Sequence, residues 1–374
     1  MKIEPFTIAV LQAVLDDLAR RLARTRWPDD GAGWAYGTNL GYMKDLVDYW
    51  EHSYNWRRPE AYLNRFAQFR AEIDGIGVHF IHERGRGPDP TPVLLLHGWP
   101  DSFYRYHRVV PMLTDPARFG GDPGTSCDVI VPSIPGQGFS DRKAMTTGDT
   151  ADLFARLMTE GLGYRKFIAA GGDAGTLIAQ SLAERRADAL IGVHLTDVGY
   201  PDQTTDTSTL TEPEIAFAAY IQQWWMNEGA FNIVQSTKPQ SLAYGLADSP
   251  AGLAAWIMSF ITTGTTGEEI ERRFSRDELL TNIMIYWVTQ TIGSSVRRYY
   301  LDAHAASTPW RRTPVPAAVA HCPLDAPLPR EWAERRVNLQ HFTELPRGGH
   351  FAAWEEPELY AKDLQVFIRE FNNF

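Results

Sequence analysis

Cysteine is almost missing from this chain. Cys127 and Cys322 are the only two in 374 residues, and their spacing fits neither a disulfide framework nor a thiolate metal site. Two ordinary thiols in a reducing compartment are expected, with no metal and no cofactor. Basic tracts are missing as well: no Lys/Arg cluster interrupts a net charge of −10 and a pI near 5.5. That balance argues against a nucleic-acid or anionic-membrane surface and leaves a small, neutral or apolar ligand as the natural partner. No uninterrupted apolar stretch is long enough to span a bilayer, and no basic-then-apolar leader opens the sequence. The expectation is a soluble, cytoplasmic protein. Internal repeats and low-complexity segments are also lacking.

What the chain does have is material for a core. It is 44% hydrophobic and 12% aromatic, enough for one large core with an accessory layer. In residues 1–90, Leu11, Val14, Leu15, Leu18 and Leu22 recur at helical spacing and Pro28 follows, which predicts an amphipathic helix ending near Trp27. Leu46, Tyr49 and Trp50, then Tyr62, Phe66 and Phe69, predict two more, so this region reads as a helical N-terminal domain, with the pattern changing to a strand at 78–82. Residues 91–198 and 306–374 carry short apolar runs, at 93–96, 129–131, 167–170, 190–195 and 315–320, separated largely by helix-length segments. Such alternation predicts an α/β fold with a mostly parallel sheet covered on both faces. Between 199 and 305 the strand signal vanishes and aromatic, helix-like stretches replace it, including Trp224, Trp225, Trp256 and Phe260. A helical lid over the carboxyl ends of the strands is expected there.

Gly171-Gly172-Asp173-Ala174-Gly175 sits between the apolar run 167–170 and a helix-like run over 176–184. This is the frame of a nucleophile elbow, in which small residues let a strained strand-to-helix turn raise one side chain above the sheet. Where an esterase would carry serine, this chain has Asp173. A carboxylate suits displacement at a saturated carbon, giving an alkyl ester that a second step must hydrolyse. Alone, the same residues read equally well as a turn capping the next helix. Two further segments favour the chemical reading. His97-Gly98-Trp99-Pro100 follows the run 93–96, where the backbone N–H groups of Trp99 and Ala174 can form a two-donor oxyanion hole. Arg347-Gly348-Gly349-His350-Phe351 follows a strand-like run over 338–345. The chain order nucleophile, acid, histidine then makes His350 the candidate general base among ten histidines.

With these motifs in place, the chain resembles the microsomal-type epoxide hydrolases, including bacterial members of natural-product and enediyne pathways. The likeness covers nearly the whole chain. It is carried by Leu22-Ala23-Arg24-Thr25-Arg26-Trp27-Pro28, His97-Gly98-Trp99-Pro100, Gln235-Ser236-Thr237-Lys238-Pro239, Ser294-Ser295-Val296-Arg297-Arg298-Tyr299 and the segment 347–356. The resemblance implies an α/β-hydrolase fold that hydrolyses a bulky, largely apolar epoxide to a vicinal diol, with water as the only cosubstrate. It also implies a place in secondary metabolism such as antibiotic biosynthesis, and a homodimer is the candidate assembly. By the same resemblance Asp173 attacks the oxirane carbon, Tyr299 supports the leaving oxygen, and His350, oriented by an acid, activates water.

For the orienting acid, Pro323-Leu324-Asp325 matches the family's segment and favours Asp325, with Asp197 after the run 190–195 as the alternative. Ala174 stands where the family often has tryptophan, and Phe231 where it has a second lid tyrosine. Phe231 cannot donate a proton. Trp224, Trp225 and Tyr300 are the candidate replacements, and Phe231, Trp224 and Trp225 the expected pocket wall. Two rival readings remain open: a carbon–halogen hydrolase using the Trp99 indole N–H as a halide donor, and a ligand-binding protein on a decayed scaffold.

Overall fold

In the computed structural model, which describes residues 1–371 except 30, 32, 203 and 307–310, nine strands among the described residues join one sheet. They are β1 (Lys2–Pro5), β2 (Gln68–Ile73), β3 (Ile76–Glu83), β4 (Thr91–Leu96), β5 (Cys127–Pro132), β6 (Phe167–Gly171), β7 (Leu190–Leu195), β8 (Pro316–His321) and β9 (Asn338–Glu344). Their spatial order is β1-β2-β3-β5-β4-β6-β7-β8-β9. β1, β2, β3 and β5 pair antiparallel in succession, and every pair from β5 to β9 is parallel. Parallel strands need crossovers, so helices cover both faces and the strands between them are apolar on both sides. β4 shows this directly: Val93 and Leu95 belong to one buried cluster, Leu94 and Leu96 to the other, and all four are 0% exposed. The mostly parallel α/β sheet predicted from the alternating runs is observed, in the α/β-hydrolase arrangement that the resemblance implies.

The N-terminal region is less helical than expected: the strand read at 78–82 is present as β3, and two strands the sequence did not announce precede it. Its helices are Gln12–Leu22, Leu40–His52 and Arg57–Leu63, but it also supplies β1, β2 and β3. The first helix stops at Leu22, short of Trp27, where the Ala23 and Thr25 N–H groups close a turn on the Ala19 and Leu22 carbonyls. Of the third aromatic set only Tyr62 is helical. Phe66 lies just beyond that helix, and Phe69 is on β2, opposite Phe80 and stacked on it. Gln68, Arg70 and Glu72 alternate there with Phe69, Ala71 and Ile73, the period of a strand rather than a helix.

The lid consists of helices Glu212–Glu228, Ala230–Thr237, Pro239–Asp248, Pro250–Thr263, Arg276–Thr289 and Ile292–His304, with no strand among the described residues of 199–305. It is pinned to the turn after β4. Asn282 Nδ2 donates to the Pro100 carbonyl at 2.8 Å, and the Tyr286 hydroxyl to that of Asp101 at 2.6 Å. Among the described residues no helix is long and apolar enough to cross a membrane.

Candidate active site

The carboxyl ends of β4, β6, β7, β8 and β9 deliver Trp99, Asp173, Asp197, Asp325 and His350 to one end of the sheet, where open α/β sheets place their chemistry. Asp173 has φ 56° and ψ −128°, a conformation that costs a non-glycine residue about 1–3 kcal/mol and persists only when its surroundings enforce it. Two close approaches enforce it here. A Cβ on Gly175 would collide with the Leu96 carbonyl, and one on Gly98 would collide with the Asp173 carboxylate. The glycines therefore let the elbow and the turn after β4 touch.

The two oxygens of Asp173 have different surroundings. Oδ1 accepts the Trp99 N–H at 2.9 Å, and the Ala174 N–H also bonds this carboxylate. Oδ2 lies 3.3 Å from His350 Nε2, and His350 Nδ1 stands 3.4 and 3.3 Å from the two oxygens of Asp325. Burial opposes the charge on Asp173, but His350 and the two N–H groups outweigh it and hold this carboxyl below the usual range. Asp325 is likewise held low against burial, chiefly by the charge of His350. Burial would depress the imidazolium, yet Asp325 first and then Asp173 raise it well above an ordinary histidine. Each of the three groups thus favours the charged form of its neighbour.

Asp197, the alternative acid, is on the elbow instead. Its Oδ2 accepts the Asp173 N–H at 3.1 Å and the Thr176 hydroxyl at 3.0 Å, and its Oδ1 accepts the Gly199 N–H at 3.1 Å. Tyr299 stands edge-on to Trp99, ring centroids 5.8 Å apart. Burial and then the Asp173 charge raise its phenol well above the usual range, which keeps it in the form that donates.

Phe231 stacks parallel to Trp99 at 6.0 Å and touches Trp224, Trp225 and Tyr299. Both indoles thus pack on Phe231. Tyr300, the third candidate donor, is exposed and stacks on His304 at 4.0 Å, outside the site. The Trp99 indole N–H, the candidate halide donor, is bound to Ser295 Oγ at 3.2 Å.

Three groups escaped the reading of the sequence. Phe260 packs against His350, Trp99 and Phe231. Buried Arg105 joins Asp101 to the His350 carbonyl, at 2.8 and 2.7 Å. Glu355 bonds the N–H groups on both sides of His350. Phe260 reads from the sequence only as a lid aromatic and Glu355 only as an acidic side chain inside the histidine segment, while Arg105 carries no signal. Outside Phe231 and Phe260 opens a cleft of about 460 Å³, walled by Trp34 and Tyr36 from the N-terminal region and by Trp224 and Trp256 from the lid.

This arrangement can be set beside known proteins. Residues 3–106 match the family model described as epoxide hydrolase N terminus, and residues 93–363 match that of the alpha/beta hydrolase family. A protein of Stigmatella aurantiaca, provisionally named an epoxide hydrolase, is 39% identical over 98% of this chain and 85% of its own length. Epoxide hydrolase 1 of Oryctolagus cuniculus is 34% identical over 98% and 88%. Among solved structures, juvenile hormone epoxide hydrolase from Bombyx mori superposes with a TM-score of 0.84 at 28% identity, covering 100% of this chain and 95% of its own. The Aspergillus niger epoxide hydrolase does so with 0.85 at 26% identity, covering 99% and 97%. Likeness along the whole chain, N-terminal region included, shows that the chain belongs to the epoxide hydrolases of the α/β-hydrolase fold.

Proposed function

We propose that the chain converts a bulky, largely apolar epoxide to a vicinal diol in two steps, through an ester on Asp173. The observation that carries this reading is the asymmetry of the Asp173 carboxylate, with Oδ1 held by backbone N–H donors and Oδ2 facing His350. Oδ2 attacks the oxirane carbon, the C–O bond opens, and the Tyr299 phenol protonates the leaving alkoxide. Oδ1 is then the ester carbonyl oxygen. Ester formation removes the Asp173 charge that favoured the imidazolium; its proton passes through solvent to the Tyr299 phenolate, and the neutral His350, oriented by Asp325, then takes a proton from water. The hydroxide formed adds to the ester carbon, and the oxyanion on Oδ1 is held by the Trp99 and Ala174 N–H groups. Collapse of that intermediate expels the diol oxygen, which takes the proton from His350, and the acid left on Asp173 returns its own proton to the imidazole. The aromatic cleft outside Phe231 and Phe260 takes the non-reacting part of the substrate. A place in secondary metabolism, antibiotic biosynthesis included, is supported by the resemblance to bacterial natural-product enzymes.

The test is a single turnover with enzyme in excess in ¹⁸O-labelled water. The diol of that first turnover should carry unlabelled oxygen from the carboxylate, and the label should appear in Asp173. Solvent label in the first diol would rule out the ester.

A further inference from the structure

Two buried carboxyl groups next to the triad bond mainly to backbone. Asp197, 7% exposed, accepts the N–H of Asp173 itself, the Thr176 hydroxyl and the Gly199 N–H, using both oxygens. Glu355, also 7% exposed, accepts the Gly349 and Phe351 N–H groups at 3.1 and 3.0 Å, both through Oε1. Its Oε2 is buried without a partner among the described residues. We propose that both are positioning residues with separate duties, Asp197 holding the nucleophile and Glu355 holding the base.

The inference rests on the two-step reading above. A strained residue stays strained only if its peptide groups are committed elsewhere, and Asp197 commits the N–H of the one residue at positive φ on the elbow. Glu355 does the same for the peptides flanking His350, while Arg105 takes the His350 carbonyl. Displacements near 1 Å at reacting atoms cost orders of magnitude in rate, so such fastening acts on the step whose atom it fixes.

The two sites differ in what an amide would do. Glu355→Gln keeps an oxygen for both N–H donors. Asp197→Asn sets an NH₂ against donors, because both carboxylate oxygens already accept. Asp197 must therefore be ionised to serve. Asp173, Asp325, His350 and Tyr200 are the titratable groups around it. Burial and then Asp325 push Asp197 up to about 6, whereas Asp173 is held low and His350 high. Burial pushes Glu355 up to about 7, so the acid limb that belongs to Asp197 is the one in the first step that is kept in Glu355→Gln and lost in Asp197→Asn.

Quenched-flow single turnovers with styrene oxide, resolving formation and breakdown of the Asp173 ester by protein mass, test this. Asp197→Asn should slow ester formation about tenfold or more with a much smaller effect on breakdown, as loss of a charge-assisted bond predicts. Glu355→Met should slow breakdown so that ester accumulates, and Glu355→Gln should restore it. Wild-type ester formation should fall as pH drops through about 6. Thr176→Val, which removes a donor to the ionised form, should move that limb to higher pH. Equal losses in both steps, equivalence of Glu355→Gln and Glu355→Met, or an acid limb that survives in Asp197→Asn would overturn the proposal. If Asp197→Asn fails to fold, an unmoved limb in Thr176→Val overturns it equally. A wild-type protein that forms no ester defeats the two-step reading, which separates that failure from this one.

Discussion

At Phe231 the wall beside Trp99 and Tyr299 carries a ring with no proton to give. Its centroid lies 6.2 Å from that of Tyr299 and 6.0 Å from that of Trp99, so it adjoins the proposed proton donor. With one phenol in place, ring opening should depend on Tyr299, and Tyr299→Phe should lower the rate of ester formation by about 10²-fold or more while substrate still binds. Phe231→Tyr should speed it. Stopped-flow fluorescence under single-turnover conditions measures both, and a Tyr299→Phe variant at wild-type speed would remove the phenol from the mechanism. Asp173 and His350 were legible because each occupies a motif with its own spacing. The preference for Asp325 over Asp197 rested on the resemblance alone, since both follow strands that end beside the elbow and only side-chain direction separates them. Arg105 left no trace, because a side chain that bonds a distant carbonyl imposes no pattern on its neighbours in sequence.

Turns and strands were legible to different degrees. The central strands announced themselves as continuous apolar runs because both of their faces are buried. β1 and β2 did not: β1 is largely exposed, and the alternation in β2 follows directly on Phe66, which mimics a helical stripe with Tyr62 and Phe69. Between the elbow and the turn after β4 the fit is tight enough to test with a single methyl group. Gly98→Ala places a Cβ against the Asp173 carboxylate, so ester formation should be lost or severely slowed while the far-ultraviolet circular dichroism stays that of the wild type. Normal kinetics in this variant would mean that the two turns have slack.

Across the whole molecule the lid and the core are fastened by charge as well as by packing. Glu278, on lid helix Arg276–Thr289, accepts the Ser275 N–H at 3.0 Å and lies 3.3 Å from Arg108 of the core. Against burial, His107, the Ser275 N–H and Arg108 bring its carboxyl down to about 2. A carboxyl depressed in the folded state contributes stability that is fully present above its unfolded value of about 4.3 and is lost as pH falls toward the folded value. That contribution is about 2 kcal/mol for this largely buried group. Glu278→Gln should therefore lower Tm at pH 7 by about 2 °C or more, with the gap to wild type closing between about pH 4 and 2. Melting curves that stay parallel through that range would deny Glu278 this role. The aromatic cleft has a consequence at the same scale. Its walls come from residues 34–37 and from lid residues between 224 and 268, whereas the groups proposed to react all stand at strand ends or on the last lid helix. On the proposed reading, reactivity and discrimination are encoded in separate stretches of chain, so evolution or a designer can exchange the epoxide that is chosen without rewriting the machinery that opens it.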